Sequence, residues 1–99
     1  MTSSKEQESP ADELRRCRDE IAKLDKDLIA LLRRRVDLAL RTGTLKREIG
    51  LPILDPSREA TVIREAVESA RVQGLAEETV REIFWRILAL SRTAQEEKP

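Results

Sequence analysis

The most regular pattern in the chain is a seam of mostly apolar positions along its first half. Neighbouring positions of the seam alternate between spacings of three and four residues, which is the a and d pattern of a helix packed lengthwise against partners. The seam consists of Leu14, Cys17, Ile21, Leu24, Leu28, Leu31, Arg35, Leu38, Thr42, Leu45 and Ile49. It predicts one continuous helix over residues 11–49, with Gly43 as its only weak point.

Glycine, proline and a capping aspartate divide the rest of the chain into two shorter helices. The boundary signals are Gly50 and Pro52 after the first helix, Asp55 and Pro56 at the start of the second, and Gly74 after its end. These residue types end or begin helices through their backbone preferences and, for aspartate, through N-capping. We expect a second helix to about Gln73 and a third over 77–95. The positions expected to face inward are Val62, Ile63, Ala66, Val67, Ala70, Val80, Ile83, Phe84, Ile87, Leu88 and Leu90.

The length of the first helix favours an assembly of two chains. At ~1.5 Å per residue such a helix is about 60 Å long, whereas a compact chain of this size has a radius of gyration of about 13 Å. Two shorter helices cannot cover so long a seam, so its burial requires a second protomer. The predicted fold is all-α, with three helices per chain and a long first helix, in an intertwined homodimeric helical bundle. A monomer broken at Gly43 is the alternative.

The same patterns divide the chain into a tail and a domain. We expect residues 1–10 to form a disordered N-terminal tail, because they are polar, and residues 11–96 to form one helical domain. No apolar run is long enough for a transmembrane helix, and the N-terminus lacks the apolar core of a signal peptide. We therefore expect a cytoplasmic protein without a membrane partner.

Composition restricts the chemistry that one chain can perform. The formal net charge is zero, which gives no electrostatic reason to expect a nucleic-acid partner. The chain has no histidine and no tyrosine, and Cys17 is its only cysteine. Disulfide scaffolds, Cys/His metal sites and histidine-based acid–base catalysis are excluded within one chain. We expect no metal and no cofactor, and any catalysis must rest on positioning, electrostatics, or Lys, Arg, Asp and Glu side chains.

Arg35 interrupts the apolar seam and is the first candidate for a binding residue. Its guanidinium keeps its proton and is costly to bury alone, so it needs an anion from another segment or from a ligand. Lys46 follows eleven positions later, close to three full turns, and points the same way. On the third helix, the stripe that contains Leu88 continues into Ser91 and Gln95. These two polar residues either fray into solvent or form the far wall of a pocket.

Two further groups of polar residues have a structural and a functional interpretation. Asp55, Arg58 and Glu59 lie in the first turn of the second helix, where they could line the same pocket or serve capping and the helix dipole. Arg18 lies about 100° round the first helix from Arg35 and roughly 25 Å further along. It cannot share a small ligand with Arg35 of its own chain. It is either a surface arginine or a contribution from the partner subunit.

Five short segments together resemble a known enzyme family. They are RDEIAKLD at 18–25, LLRRR at 31–35, TGTLK at 42–46, LPILDPSRE at 51–59 and SRTAQ at 91–95. In this order and spacing they resemble the helical class of chorismate mutase, which are small all-α enzymes. The resemblance implies an intertwined dimer with two equivalent sites, each completed by an arginine of the partner. It also implies conversion of chorismate to prephenate in phenylalanine and tyrosine biosynthesis.

The resemblance implies a role for residues that bind carboxylates and the breaking bond. Arg18 would reach across the dimer to a substrate carboxylate, and Arg35 would bind a carboxylate in its own subunit. Lys46 would contact a carboxylate and the ether oxygen of the breaking bond. Gln95 would donate to that oxygen from the opposite side. Because an amide donates without first being protonated, we expect activity over a broad neutral pH range.

The remaining matched residues would surround the ring and the carboxylate end of the substrate. Glu59 would accept a hydrogen bond from the ring hydroxyl, assisted by the backbone near Asp55. Arg58 and Ser91 would line the carboxylate end. The reaction is a pericyclic rearrangement that needs no nucleophile, metal or proton transfer, so a chain without histidine can perform it.

Two other functions fit parts of the same pattern. An isochorismate pyruvate-lyase of the same fold would share the cationic pocket, but its relatives lack the paired Asp55 and Glu59. A non-catalytic helical dimerisation module would explain the seam but not the inward-facing polar residues. A complex with another shikimate-pathway enzyme is also possible for a stand-alone member of the resembled family.

Overall fold

The computed structural model describes residues 8–97 and folds them into three helices. They are α1 (Pro10–Glu48), α2 (Pro56–Gln73) and α3 (Glu77–Glu97), and the described part contains no strand. The all-α, three-helix prediction is confirmed, with helix ends within two residues of those expected. Residues 1–7 of the predicted tail lie outside the described residues, and Pro10 belongs to α1.

Local capping chemistry explains where the helices begin and end. The Asp55 side chain accepts a hydrogen bond from the backbone N–H of Arg58 at 3.0 Å, which satisfies one of the unpaired donors at the start of α2. Gly74 ends α2 in the left-handed conformation, with φ of 71°, a region that glycine adopts without a steric penalty. At the start of α1, the hydroxyl of Ser9 accepts from the N–H of Asp12 at 3.1 Å.

The chain divides into two compact units within α1. The first unit ends at Arg33 and the second begins at Arg34. In the described part of the first unit, the large apolar side chains of the seam are exposed. They are Leu14, Ile21, Leu24, Leu28 and Leu31. None of residues 8–97 removes this apolar surface from water.

The second unit has its own core, formed mainly where α2 packs on α3. Ile63, Val67 and Leu88 are buried together, with Val62 and Phe84 packed against them. Ala66 and Ala70 of α2 are also buried, as the periodicity predicted, and small side chains allow the two helices to approach closely. The core therefore fixes the position of α3 against α2.

Two residues of α3 that were predicted to face inward do not. Ile83 is 50% exposed and Leu90 is 46% exposed. At ~100° per residue, both lie about 140–160° round α3 from the buried Leu88, so they point away from α2. The prediction was wrong within the single chain because it assigned too wide an apolar face to α3.

No described helix is both long and apolar enough to span a membrane.

Candidate active site

The second unit contains a cavity of about 300 Å³ between the end of α1, the start of α2 and the end of α3. This volume lies at the lower end of the range for small-molecule sites. Seven of the eight residues singled out from the sequence line it. They are Arg35, Lys46, Asp55, Arg58, Glu59, Ser91 and Gln95. The structure thus brings residues from three helices around one space, while their roles remain predictions.

Arg35 is held in the cavity wall by a neutral partner. Its Nη1 donates to the hydroxyl of Ser91 at 3.0 Å, and Ser91 is buried. Among the described residues Arg35 forms no ion pair. A half-buried guanidinium with five donors and one neutral acceptor can still bind an anion. No other segment of the described chain therefore supplies the anion that the sequence predicts for Arg35.

Lys46 lies in the last turn of α1, where the dipole of the helix favours a cation. Its Nζ donates to the carbonyl of Ile53 at 3.2 Å and lies 4.0 Å from Oδ2 of Asp55. Asp55 therefore caps α2 and also lies beside Lys46. The predicted capping by Asp55 is confirmed, whereas a role of Asp55 in substrate binding stays a prediction.

Gln95 approaches α1 at the glycine that the sequence marked as a weak point. Its Nε2 donates to the carbonyl of Ala39 at 2.7 Å. Gly43 is buried beside it, and a Cβ added to Gly43 would lie 3.4 Å from Gln95 Nε2. The glycine thus leaves room for the amide inside a continuous helix. Because an amide nitrogen carries two hydrogens, Gln95 keeps one donor for a ligand.

Arg92 is a cavity residue that the sequence analysis missed. Its Nη2 donates to Oε1 of Glu59 at 3.1 Å, which joins α3 to the first turn of α2. Its Nε is buried and has no hydrogen-bond partner among the described residues. Arg92 follows Ser91 directly inside the SRTAQ segment, but its partner lies 33 positions earlier. Helical periodicity cannot reveal a pair between two different helices.

The remaining predicted residues differ in their placement. Arg58 lines the cavity with an exposed side chain. Arg18 is exposed and is not one of the residues that line this cavity. Apolar and small side chains complete the wall. They are Leu38, Ala39, Thr42, Ile53, Val62 and Leu88.

The charge of the lining selects for anions. Four cationic side chains face two carboxylates, which leaves two positive charges in excess. The described residues contain no group of His, Cys, Asp and Glu that could hold a metal ion. The lining offers hydrogen-bond donors and fixed charges beside apolar side chains, an arrangement that can orient a ligand and stabilise developing negative charge.

The fold and the cavity define an all-helical protein with a cavity whose lining carries an excess of positive charge. The sequence model of the family described as chorismate mutase type II matches residues 17–96, and the chain belongs to that family. This match covers most of α1, all of α2, α3 up to residue 96, and every residue of the cavity lining. Membership of this family and the all-α fold were both expected from the sequence, and both are confirmed.

Individual relatives are similar over much of the chain. The T-protein of Enterobacter agglomerans is 33% identical over 86 residues, which are 87% of this chain and 23% of that protein. The T-protein of Haemophilus influenzae is 31% identical over 75 residues, or 76% of this chain and 20% of that protein. The 4-amino-4-deoxychorismate mutase of Streptomyces venezuelae is 38% identical over 65 residues, covering 66% and 63% of the two chains. The chain thus spans less than a quarter of the length of either T-protein.

Proposed function

We propose that this protein is a chorismate mutase, which rearranges chorismate to prephenate. The observation that carries the proposal is the state of Arg35. It is a half-buried guanidinium without an ion pair among the described residues, in a cavity with an excess of positive charge. Chorismate is a dicarboxylate, so its charge balances that excess. The family match to residues 17–96 supports the same substrate.

The geometry supports catalysis by positioning. Arg35 binds one carboxylate, and Lys46 binds a carboxylate together with the ether oxygen of the breaking bond. Lys46 and Gln95 are each anchored to a backbone carbonyl, of Ile53 and Ala39 respectively. An ammonium has three hydrogens and an amide nitrogen two, so both groups keep donors for the ether oxygen. Donors fixed in advance stabilise the charge that develops there without reorganising.

The carboxylate of Glu59 is the acceptor for the ring hydroxyl of the substrate. Apart from the two carboxylates, the lining is mostly cationic or apolar, so a hydroxyl donor finds its best partner at a carboxylate. Asp55 is less suited to this task because its Oδ1 already accepts from the backbone of Arg58. Arg58 and Ser91 complete the carboxylate end, and Ser91 also holds Arg35.

We also propose that the active assembly is a homodimer with shared sites. The exposed leucines of the first unit support a second copy as the partner, because leaving them in water forfeits roughly 1.5–3 kcal/mol each. Arg18, exposed and outside the cavity, would then serve the site of the other subunit. A cytoplasmic location and a complex with another shikimate-pathway enzyme stay predictions.

Neither alternative function has a specific observation in its favour. A dimerisation module has no use for a cavity lined by four cations. The lyase alternative shares the cationic pocket, but Asp55 and Glu59 are both present here and both line the cavity. Chorismate mutase is therefore the better interpretation.

The test is prephenate formation by the purified protein and by Arg35→Ala and Arg35→Lys. We expect Arg35→Ala to lower kcat/KM by about 10²–10³-fold, because it removes a fixed donor to a charged group. Arg35→Lys keeps the charge and should retain part of the wild-type kcat/KM. Far-UV circular dichroism and mass in solution should stay unchanged. A wild-type protein that forms no prephenate, or that releases pyruvate from isochorismate instead, would overturn the proposal.

A further inference from the structure

The ion pair between Arg92 and Glu59 is a feature of the cavity that the mechanism above does not use. Arg92 lines the cavity beside the predicted binding residues. Its Nη2 lies 3.1 Å from Glu59 Oε1, and the two side chains are 41% and 22% exposed. The pair joins the last turns of α3 to the first turn of α2.

The position of Arg92 indicates that the pair is maintained against a local penalty. Its Nε is buried without a hydrogen-bond partner among the described residues. A buried N–H that loses its hydrogen bond to water destabilises the structure. The charge-assisted bond to Glu59 offsets that loss. Arg92 is therefore held where it compensates the charge of Glu59.

Compensation changes which substrate group the carboxylate of Glu59 prefers. A carboxylate without a nearby cation attracts a cationic group most strongly, and attraction between two charges exceeds that between a charge and a neutral donor. Beside Arg92, a cation at the same place would meet like charge. A neutral hydroxyl meets no such repulsion and still donates to the free lone pairs of Glu59.

We propose that Arg92 is a specificity-determining residue, which makes the Glu59 subsite favour a neutral hydroxyl over an ammonium group on the substrate ring. The inference rests on the proposed function, because it assigns the ring hydroxyl of chorismate to Glu59. Arg92 acts through Glu59 and is a positioning residue rather than a catalytic one. Arg92 thereby makes the pocket select against a positively charged ring substituent, in addition to selecting by shape.

The probe is 4-amino-4-deoxychorismate, in which an amino group replaces the ring hydroxyl and is protonated at neutral pH. The measurement is kcat/KM for chorismate and for this amino analogue, with wild type, Arg92→Gln and Arg92→Lys. Wild type should prefer chorismate. Arg92→Gln removes the cation that is paired with Glu59 and should raise the ratio of amino to hydroxyl activity about tenfold. Arg92→Lys keeps the positive charge and should stay near the wild-type ratio.

The outcomes separate this inference from the proposed function. A ratio that is unchanged in Arg92→Gln, with chorismate still converted, overturns the role of Arg92 alone. A ratio that rises equally in Arg92→Lys overturns it too, because the charge would then not be the cause. Wild type that converts neither compound overturns both proposals. Because Arg92 is partly exposed, the variants should fold, and circular dichroism checks this.

Discussion

The two units of the chain carry different side chains along the same seam of α1. In the first unit the seam consists of four leucines, Ile21 and Cys17, and all of these side chains are exposed in the single chain. In the second unit Arg35 interrupts the seam and donates a hydrogen bond to Ser91 of α3, and the carbonyl of the nearby Ala39 accepts one from Gln95 of α3. Leu38, Leu45 and Ile49 of the seam are exposed there as well. One stretch of α1 thus offers apolar surface, and the other supports a polar cavity. Both stretches of α1 share the apolar periodicity, but what each stretch does depends on which side chains pack against it.

The largest expected effect is a charge placed on the exposed seam. Leu28 is 57% exposed in the single chain, where substitution of a surface residue changes stability little. If a second copy covers the seam, Leu28→Asp loses the burial of a leucine in each subunit. We then expect the dissociation constant to rise at least a hundredfold, and turnover to fall with it. Sedimentation equilibrium and prephenate formation over a range of protein concentrations measure both.

Ala30→Asp is the matched control for this charge. Ala30 is also exposed, but it lies about 160° round α1 from the seam residue Leu28. Ala30→Asp adds the same charge to the same unit and should leave the mass in solution and the turnover near those of wild type. If Leu28→Asp behaves like Ala30→Asp, the seam of the first unit is not an interface between two copies.

A smaller effect distinguishes the units through their helix caps. Ser9 caps α1 in the first unit and Asp55 caps α2 in the second, with bonds of 3.1 and 3.0 Å to backbone N–H groups. Asp55→Ala should lower the free energy of unfolding by ~1 kcal/mol, because α2 is part of the core. Ser9→Ala should change it little, since the loss can be absorbed by fraying of the first turn. Urea unfolding followed by circular dichroism measures both.

Asp55→Asn isolates the cap from the charge beside Lys46. Asparagine is as good an N-cap residue as aspartate, so Asp55→Asn should keep most of the stability that Asp55→Ala loses. A loss in Asp55→Asn equal to that in Asp55→Ala would assign the effect to the charge. Equal losses in Ser9→Ala and Asp55→Ala would contradict the difference between the units.

The helix ends were predictable because their causes are local. Asp55, Pro56 and Gly74 act on their immediate neighbours, and the observed start and end of α2 coincide with them. The shared direction of Arg35 and Lys46 was also predictable, since it follows from the pitch of one helix. The positions of Ser91 and Gln95 opposite them needed only one further assumption, that α3 faces α1.

The features that the sequence did not reveal depend on contacts between helices. The partner of Arg92 lies on α2, and no spacing within α3 points to it. The hydrogen bond of Gln95 to Ala39 shows the amide anchored to α1, where the sequence predicted only a ligand contact. The exposure of Ile83 and Leu90 depends on what surface α3 meets, which its own amphipathic pattern does not state. Each case requires the tertiary arrangement.

The smallest expected effect concerns the ion pair between the end of α2 and the start of α3. Arg71 Nη2 donates to Glu77 Oε1 at 3.0 Å, and this hydrogen bond, with the positive charge behind it, lowers the pKa of Glu77 below its ordinary 4.5. By contrast, the pair of Arg15 with Asp12 in the first unit lies within one turn of α1. Of these two ion pairs, Arg71–Glu77 connects two helices of the core, whereas Arg15–Asp12 lies within a single helix.

A group with a lowered pKa in the folded state stabilises the fold above its ordinary pKa, and this contribution disappears as the pH falls through the lowered value. A double-mutant cycle of Arg71→Gln and Glu77→Gln, with urea unfolding at about pH 6 and about pH 3, isolates the pair from the dipole of α3. The coupling should be small and sensitive to salt, because the side chains are 66% and 40% exposed. It should be present at the higher pH and weaker at the lower. A coupling that is equal at both would show that Glu77 does not stabilise the junction of α2 and α3 through its charge.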